Sequence, residues 1–164
     1  MCSTGLIGTG GEDFRSRLVE GVPGLVESAS AEGGSDAAEA ILTTDSVSKE
    51  ALAEGTGYTI GAMAKGAGML APSLATMIVV ITTDAKLSPE QLDRALRSAT
   101  AKSFDRLDSD GCQSTNDTVA LLSSGAGAEA DEAEFTALLT EVCTDLARQL
   151  MADAEGAAHD VEIT

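Results

Sequence analysis

The chain has one tyrosine, three phenylalanines and no tryptophan among its 164 residues. A core without large rings must be assembled from Ala, Leu, Val and Ile, with backbones closely packed where the 17 glycines fall. Long apolar runs are missing as well. The longest, Met77–Ile81, falls far short of the ~20 residues that a membrane-spanning helix needs, so no membrane span is expected. Basic residues are scarce: 10 Lys and Arg against 27 Asp and Glu leave a net charge of −17. Recognition of nucleic acid or of an anionic membrane runs through phosphate neutralisation, and this balance argues against both partners. Acid-rich solvent faces explain the charge most simply; a halophilic source, or a piece whose basic counterpart lies elsewhere, would give the same number.

Histidine and cysteine are equally thin. His159 is the single histidine, and Cys2, Cys112 and Cys143 show no C-x-x-C spacing. That set does not make a zinc cluster, so no metal site is expected. A Ser-His-Asp triad would depend on His159, close to the end of the chain and near no nucleophile elbow. An odd number of thiols and no apolar stretch at the N-terminus predict a reduced, cytoplasmic setting with all three thiols buried. The glycines do not form a phosphate cradle: Lys65 lies beside Gly66 and Gly68, but neither the Walker pattern nor G-x-G-x-x-G is present.

What is present alternates between helix and strand signals. Phe14, Leu18, Val22, Leu25 and Val26 predict helical turns interrupted near Gly21 and Pro23. Residues 36–41 read as a short helix feeding Leu42–Asp45, the end of a strand, and Tyr58–Ile60 reads as extended. The β-branched run over residues 77–83 predicts a strand buried on both faces. Ser88, Pro89 and Gln91 form a capping box with proline at the first helical position, ahead of the stripe Leu92, Ala95, Leu96 and Ala99. Asp131 and Glu134 repeat the cap before Phe135, Leu138, Leu139, Val142, Leu146 and Leu150. Thr118–Leu122 predicts another strand and Val161–Thr164 a last extended piece. No internal repeat or long linker divides the chain, so a single domain is expected.

The seam at Ala75-Thr76 is where chemistry could reside. A threonine hydroxyl is a weak nucleophile, but cutting the peptide bond before it frees an α-amine of pKa ~8 that can act as its own general base. That mechanism needs no histidine. It needs a small preceding residue, a kinked junction and a rigid strand behind the nucleophile, and Ala75, the Ala71-Pro72-Ser73 turn and Met77–Ile81 supply them. The plain alternative is a threonine that merely opens a strand. Lys65, one cation in a glycine-rich apolar stretch of an acidic chain, calls for a partner. Thr115 and Asn116 are by type turn formers.

Thr4-Gly5, Thr43-Thr44-Asp45, Lys65-Gly66-Ala67-Gly68-Met69, Ala75-Thr76-Met77 and Ser114-Thr115-Asn116-Asp117-Thr118 resemble, in order, the signature segments of the ornithine acetyltransferase family, also called glutamate N-acetyltransferase. The resemblance implies an α+β, DmpA/ArgJ-like sandwich of N-terminal-nucleophile type, with helices flanking central sheets, here incomplete. Residues 1–164 would be one partial domain, 1–75 the end of the family's α chain and 76–164 the start of its β chain. The implied reaction moves an acetyl group from N-acetylornithine to glutamate through an acyl-threonine, in arginine biosynthesis, with acetyl-CoA as an alternative donor and no cofactor. Thr76 matches the nucleophile, Ala75-Thr76 the cleavage site, and Thr4 and Gly5 the oxyanion hole. Thr43, Lys65, Thr76 and Glu155 match substrate-binding positions. The family assembles as a heterotetramer of two α and two β chains. Its members are longer at both ends, and their C-terminal part adds an asparagine and a hydroxyl residue to the substrate site. Thr9–Asp13 is shortened against the family, and Ala158 and His159 stand where it has Thr and Lys. A catalytically inactive fragment with a structural or interaction role is the competing expectation.

Overall fold

The computed structural model describes residue 2, residues 10–71 and residues 74–163, with the backbone alone at 71, 74 and 75. Four helices, α1 (Phe14–Glu27), α2 (Gly34–Ala40), α3 (Pro89–Thr100) and α4 (Glu132–Ala152), accompany six strands. These are β1 (Lys49–Gly55), β2 (Tyr58–Lys65), β3 (Leu70–Ala71), β4 (Leu74–Ala75), β5 (Ile78–Thr83) and β6 (Thr118–Ser123). The main sheet runs β1-β2-β5-β6, antiparallel at the first two pairings and parallel between β5 and β6, while β3 and β4 form a separate hairpin.

Local chemistry sets the helix starts. The Ser88 hydroxyl accepts the Gln91 N–H and the Gln91 side chain accepts the Ser88 N–H, so two orphan donors at the start of α3 are satisfied reciprocally. Asp131 accepts the Ala133 and Glu134 N–H groups at the start of α4. The apolar stripes of both helices then pack on one face of the sheet. Phe135, Leu139, Leu146 and Leu150 of α4 are buried with Ile60 and Ala64 of β2 and Val79 and Ile81 of β5. Tyr58 and Phe135 meet with ring centroids 5.8 Å apart; with Phe104 they are the aromatic members of a core that is otherwise mostly aliphatic.

Several expectations are corrected. β5 is an interior strand, but its burial alternates: Val79, Ile81 and Thr83 are buried, Ile78 and Val80 half-buried and Thr82 exposed. The core helices α3 and α4 lie on one face and the short α2 covers only part of the other, so a continuous β-branched run did not mean two buried faces. α1 passes through Pro23 without a break; the helix is exposed throughout, and the carbonyl freed by the missing N–H can be solvated. Residues 42–48 form a loop rather than the end of a strand, tied by side-chain bonds to Asp45. Val161–Ile163 is exposed and joins no sheet. Of the three thiols only Cys143 is buried; Cys2 and Cys112 are exposed.

Candidate active site

β2 ends at Lys65, and β5 begins at its register partner Ile78. Residues 66–77 are therefore an excursion out of the sheet that returns beside its own point of departure. Within it Leu70 pairs with Ala75 and Ala71 with Leu74, and the Thr76 N–H donates to the Met69 carbonyl at 3.2 Å. The Ala75–Thr76 peptide is thus pinned at the base of a small hairpin. Ile78 pairs in turn with Thr118, so Lys65, Ile78 and Thr118 form one row at a single end of the sheet.

Two glycines make the approach possible. A Cβ at Gly66 would lie 3.3 Å from the Thr76 carbonyl oxygen and 3.2 Å from a Leu70 methyl, and one at Gly68 would lie 3.1 Å from Glu155 Oε2. The glycine-rich turn therefore brings the Thr76 backbone on one side and the Glu155 carboxylate on the other into near contact with it. The Glu155 N–H donates to the Ala67 carbonyl at 2.5 Å, which fixes the segment just after α4 against the same turn.

Lys65 is 1% exposed and donates to the Thr43 hydroxyl at 3.3 Å. Burial lowers its pKa, opposed by the charges of Asp45 and Asp117. The loop that carries Thr43 is held by Asp45, whose carboxylate accepts the Gly66 N–H at 2.6 Å, the Thr43 N–H at 3.3 Å and the Lys49 ammonium at 2.8 Å. Burial would raise the Asp45 pKa, but these donors bring it below the usual carboxylate value. Lys49, 0% exposed, also pairs with Asp153 at 2.6 Å. Asp153 in turn accepts the Ser46 N–H at 3.0 Å and the Ser46 hydroxyl. Against the effect of burial, Lys49 and Ser46 bring the Asp153 pKa to about 2.

Thr43, Lys65, Thr76 and Glu155 are therefore gathered around one turn, although 112 positions separate the first from the last. Thr4 and Gly5 lie outside the described residues. Asp45, Lys49, Asp153 and Asp117 were not singled out from the sequence. The signal for Asp45, Asp117 and Asp153 was their place inside the Thr-Thr-Asp, Ser-Thr-Asn-Asp-Thr and Asp-Ala-Glu-Gly segments; Lys49 carried none.

The family model of the ArgJ family matches residues 1–164. The chain belongs to the ArgJ family. It is 62% identical over 164 residues to the "Arginine biosynthesis bifunctional protein ArgJ" of Thermobifida fusca (strain YX), covering 99% of this chain and 42% of that protein. It is 54% identical to the "Arginine biosynthesis bifunctional protein ArgJ 1" of Streptomyces clavuligerus, with 99% of this chain and 42% of that protein covered. The "Arginine biosynthesis bifunctional protein ArgJ" of Mycobacterium leprae (strain TN) is 52% identical, over 100% of this chain and 41% of its own length. The ArgJ segment described here thus spans about two fifths of the curated relatives it matches. Among solved structures, the PH0078 protein from Pyrococcus horikoshii OT3 gives a TM-score of 0.44 at 15% identity, covering 65% of this chain and 40% of that one. No helix among the described residues is long and apolar enough to cross a membrane.

Proposed function

We propose that this segment carries the nucleophile half of an acetyltransferase active site in arginine biosynthesis. The complete polypeptide would move an acetyl group from N-acetylornithine to glutamate through an acyl-threonine at Thr76. The observation that supports this most is the Ala75–Thr76 peptide held at the base of a hairpin whose flanking turn touches Glu155 and leads out of Lys65. The names of the relatives support the pathway.

The chemistry runs in two stages. The Thr76 hydroxyl attacks the Ala75 carbonyl, the C–N bond breaks as the nitrogen takes up a proton, and water opens the resulting ester. Ala75 is left with a carboxylate and Thr76 with a free α-amine. That amine, of pKa ~8 before local effects, then takes the hydroxyl proton as Thr76 attacks the substrate's acetyl carbonyl. Ornithine leaves, and the amine of glutamate displaces the acetyl group from the threonine oxygen. The Lys65 ammonium would hold an amino-acid carboxylate, with Thr43 beside it, and Glu155 a substrate ammonium group. Thr4 and Gly5 would supply the oxyanion donors, and acetyl-CoA would serve as an alternative donor, with no cofactor.

The same reading makes residues 1–75 the end of an α chain and 76–164 the start of a β chain, in a two-sheet sandwich assembled as two α and two β chains in the cytoplasm. A second reading, that this chain alone is an inactive structural or interaction module, is favoured by its uncovered apolar surfaces: Phe14, Leu18 and Val22 of α1 and Leu52 and Leu122 of the sheet are all exposed.

Intact-mass measurement tests both. The segment restored to full length with the flanking sequence of the Thermobifida fusca relative should be cut between Ala75 and Thr76 and transfer acetyl groups. Thr76→Ala should abolish both. A restored protein that is cut and active with Thr76→Ala removes Thr76 from the mechanism. The 164-residue chain alone should be cut slowly or not at all, since attack requires geometry held to fractions of an ångström.

A further inference from the structure

Asp117 has no role in the chemistry above, yet it reaches closer to the proposed nucleophile than its place before β6 suggests. Its Oδ1 accepts the Met77 N–H at 3.0 Å, and the Thr118 N–H donates to the Met77 carbonyl at 3.0 Å. Both polar groups of the residue after Thr76 are thus gripped by two consecutive residues. The second oxygen, Oδ2, is buried and has no hydrogen-bond partner among the described residues. Burial raises the Asp117 pKa, opposed by the Met77 N–H and by the charge of Lys65.

A carboxylate is a costly way to make this contact. An asparagine oxygen could accept the same N–H without an ionised group whose second oxygen lies buried and unpartnered. What the carboxylate adds is strength, because a charge-assisted hydrogen bond is about twice as strong as a neutral one. The geometry points to Asp117 as a positioning residue for Thr76: it clamps the Thr76–Met77 peptide while Thr118 holds the Met77–Ile78 peptide that follows, so that the hydroxyl keeps its line of attack through cleavage and turnover. The inference rests on the reading of Thr76 as the nucleophile. It has a signature that a purely structural aspartate lacks, namely that removing the charge leaves stability equal or higher while slowing chemistry.

The test uses the restored full-length protein with Asp117→Asn, Asp117→Ala and, as reference, Thr76→Ala. Asp117→Asn should melt at or above the parent temperature, leave KM for N-acetylornithine within about twofold and slow both cleavage and kcat about tenfold, as expected when a charge-assisted bond becomes a neutral one. Asp117→Ala, which frees the Met77 N–H, should slow both about 100-fold, the order expected for a misplaced reacting group. The asparagine variant thereby rescues part of the loss. If both variants cleave and turn over within twofold of the parent, or if KM alone changes, the proposal is overturned. If Thr76→Ala is itself cut and active, the underlying reading falls instead, and the two failures are told apart by that arm.

Discussion

The two faces of the main sheet are built from the same four strands and treated in opposite ways. Toward α3 and α4 the sheet presents Ile60, Ala64, Val79 and Ile81, all buried. The other face presents Leu52, Met63, Val80 and Leu122, with Leu52 70% and Leu122 59% exposed. There α2 leaves a shallow groove of about 530 Å³, and α1 buries none of its residues. The lesson is that this segment folds around one self-sufficient half-core while carrying apolar surface whose burial it does not supply. That division matches its span of about two fifths of its relatives. The candidate site sits at one end of the covered half, where the strand ends and the end of α4 converge.

The largest effect that separates the two faces should come from Phe135, which lies fully buried at the first turn of α4. Phe135→Ala should cost roughly 3–5 kcal/mol in urea denaturation, from lost transfer energy and the cavity left behind. A loss no larger than that of an outer-face substitution would erase the distinction between the faces.

The knot of Asp45, Lys49 and Asp153 should give the next largest effect, and it is pH-dependent. The folded pKa of Asp153, about 2, lies below its unfolded value, so the stability it contributes is fully present above the unfolded pKa and is lost as pH falls through the folded one. Asp45 is lowered in the same direction. Asp117 is raised and has the opposite sign: its ionisation opposes folding at neutral pH, and that penalty is relieved in acid. Asp153→Asn should therefore cost roughly 2 kcal/mol at neutral pH, and the gap to the parent should close between about pH 4 and pH 2. A gap that stays constant across that range would show that Asp153 acts through packing and not through its charge.

How much of this was legible depended on whether the signal was local. The capping box at Ser88 and the stripes of α3 and α4 were readable because each is fixed by residues three or four apart. The β5 strand was readable from its β-branched run, but not its one-sided burial, which depends on where helices land. Pro23 misled, because an exposed helix tolerates a missing donor. Leu42–Asp45 reads as a strand end, but the Asp45 carboxylate accepts the Thr43 and Gly66 N–H groups and holds the segment in a loop. Asp153 joins Lys49 across 104 positions, and nothing in a chain with 27 acidic residues marks which carboxylate will do so. The gathering of Thr43, Lys65, Thr76 and Glu155 could be expected only through family resemblance, since their spacing carries no period. Thr4 and Gly5, part of that same expectation, lie outside the described residues.

The smallest effect belongs to the outer face, and its value lies in changing with context. Leu52 and Leu122 stand at the two ends of one cross-strand row of the sheet, joined through Gly61 and Thr82. In the 164-residue chain these two leucines touch water over most of their surface, so exchanging either for threonine removes little burial and keeps a good strand former. Leu52→Thr and Leu122→Thr should each shift stability by no more than about 0.5 kcal/mol in the chain alone. In the restored full-length protein the proposed second sheet would cover this face, and the same substitutions should then cost about 1.5–3 kcal/mol each, the worth of a fully buried leucine. Chemical denaturation of both lengths, parent and variant, measures the difference. Equal small effects in the two lengths would mean that the outer face stays open in the whole protein, and the two-sheet sandwich proposed for it would have to be given up.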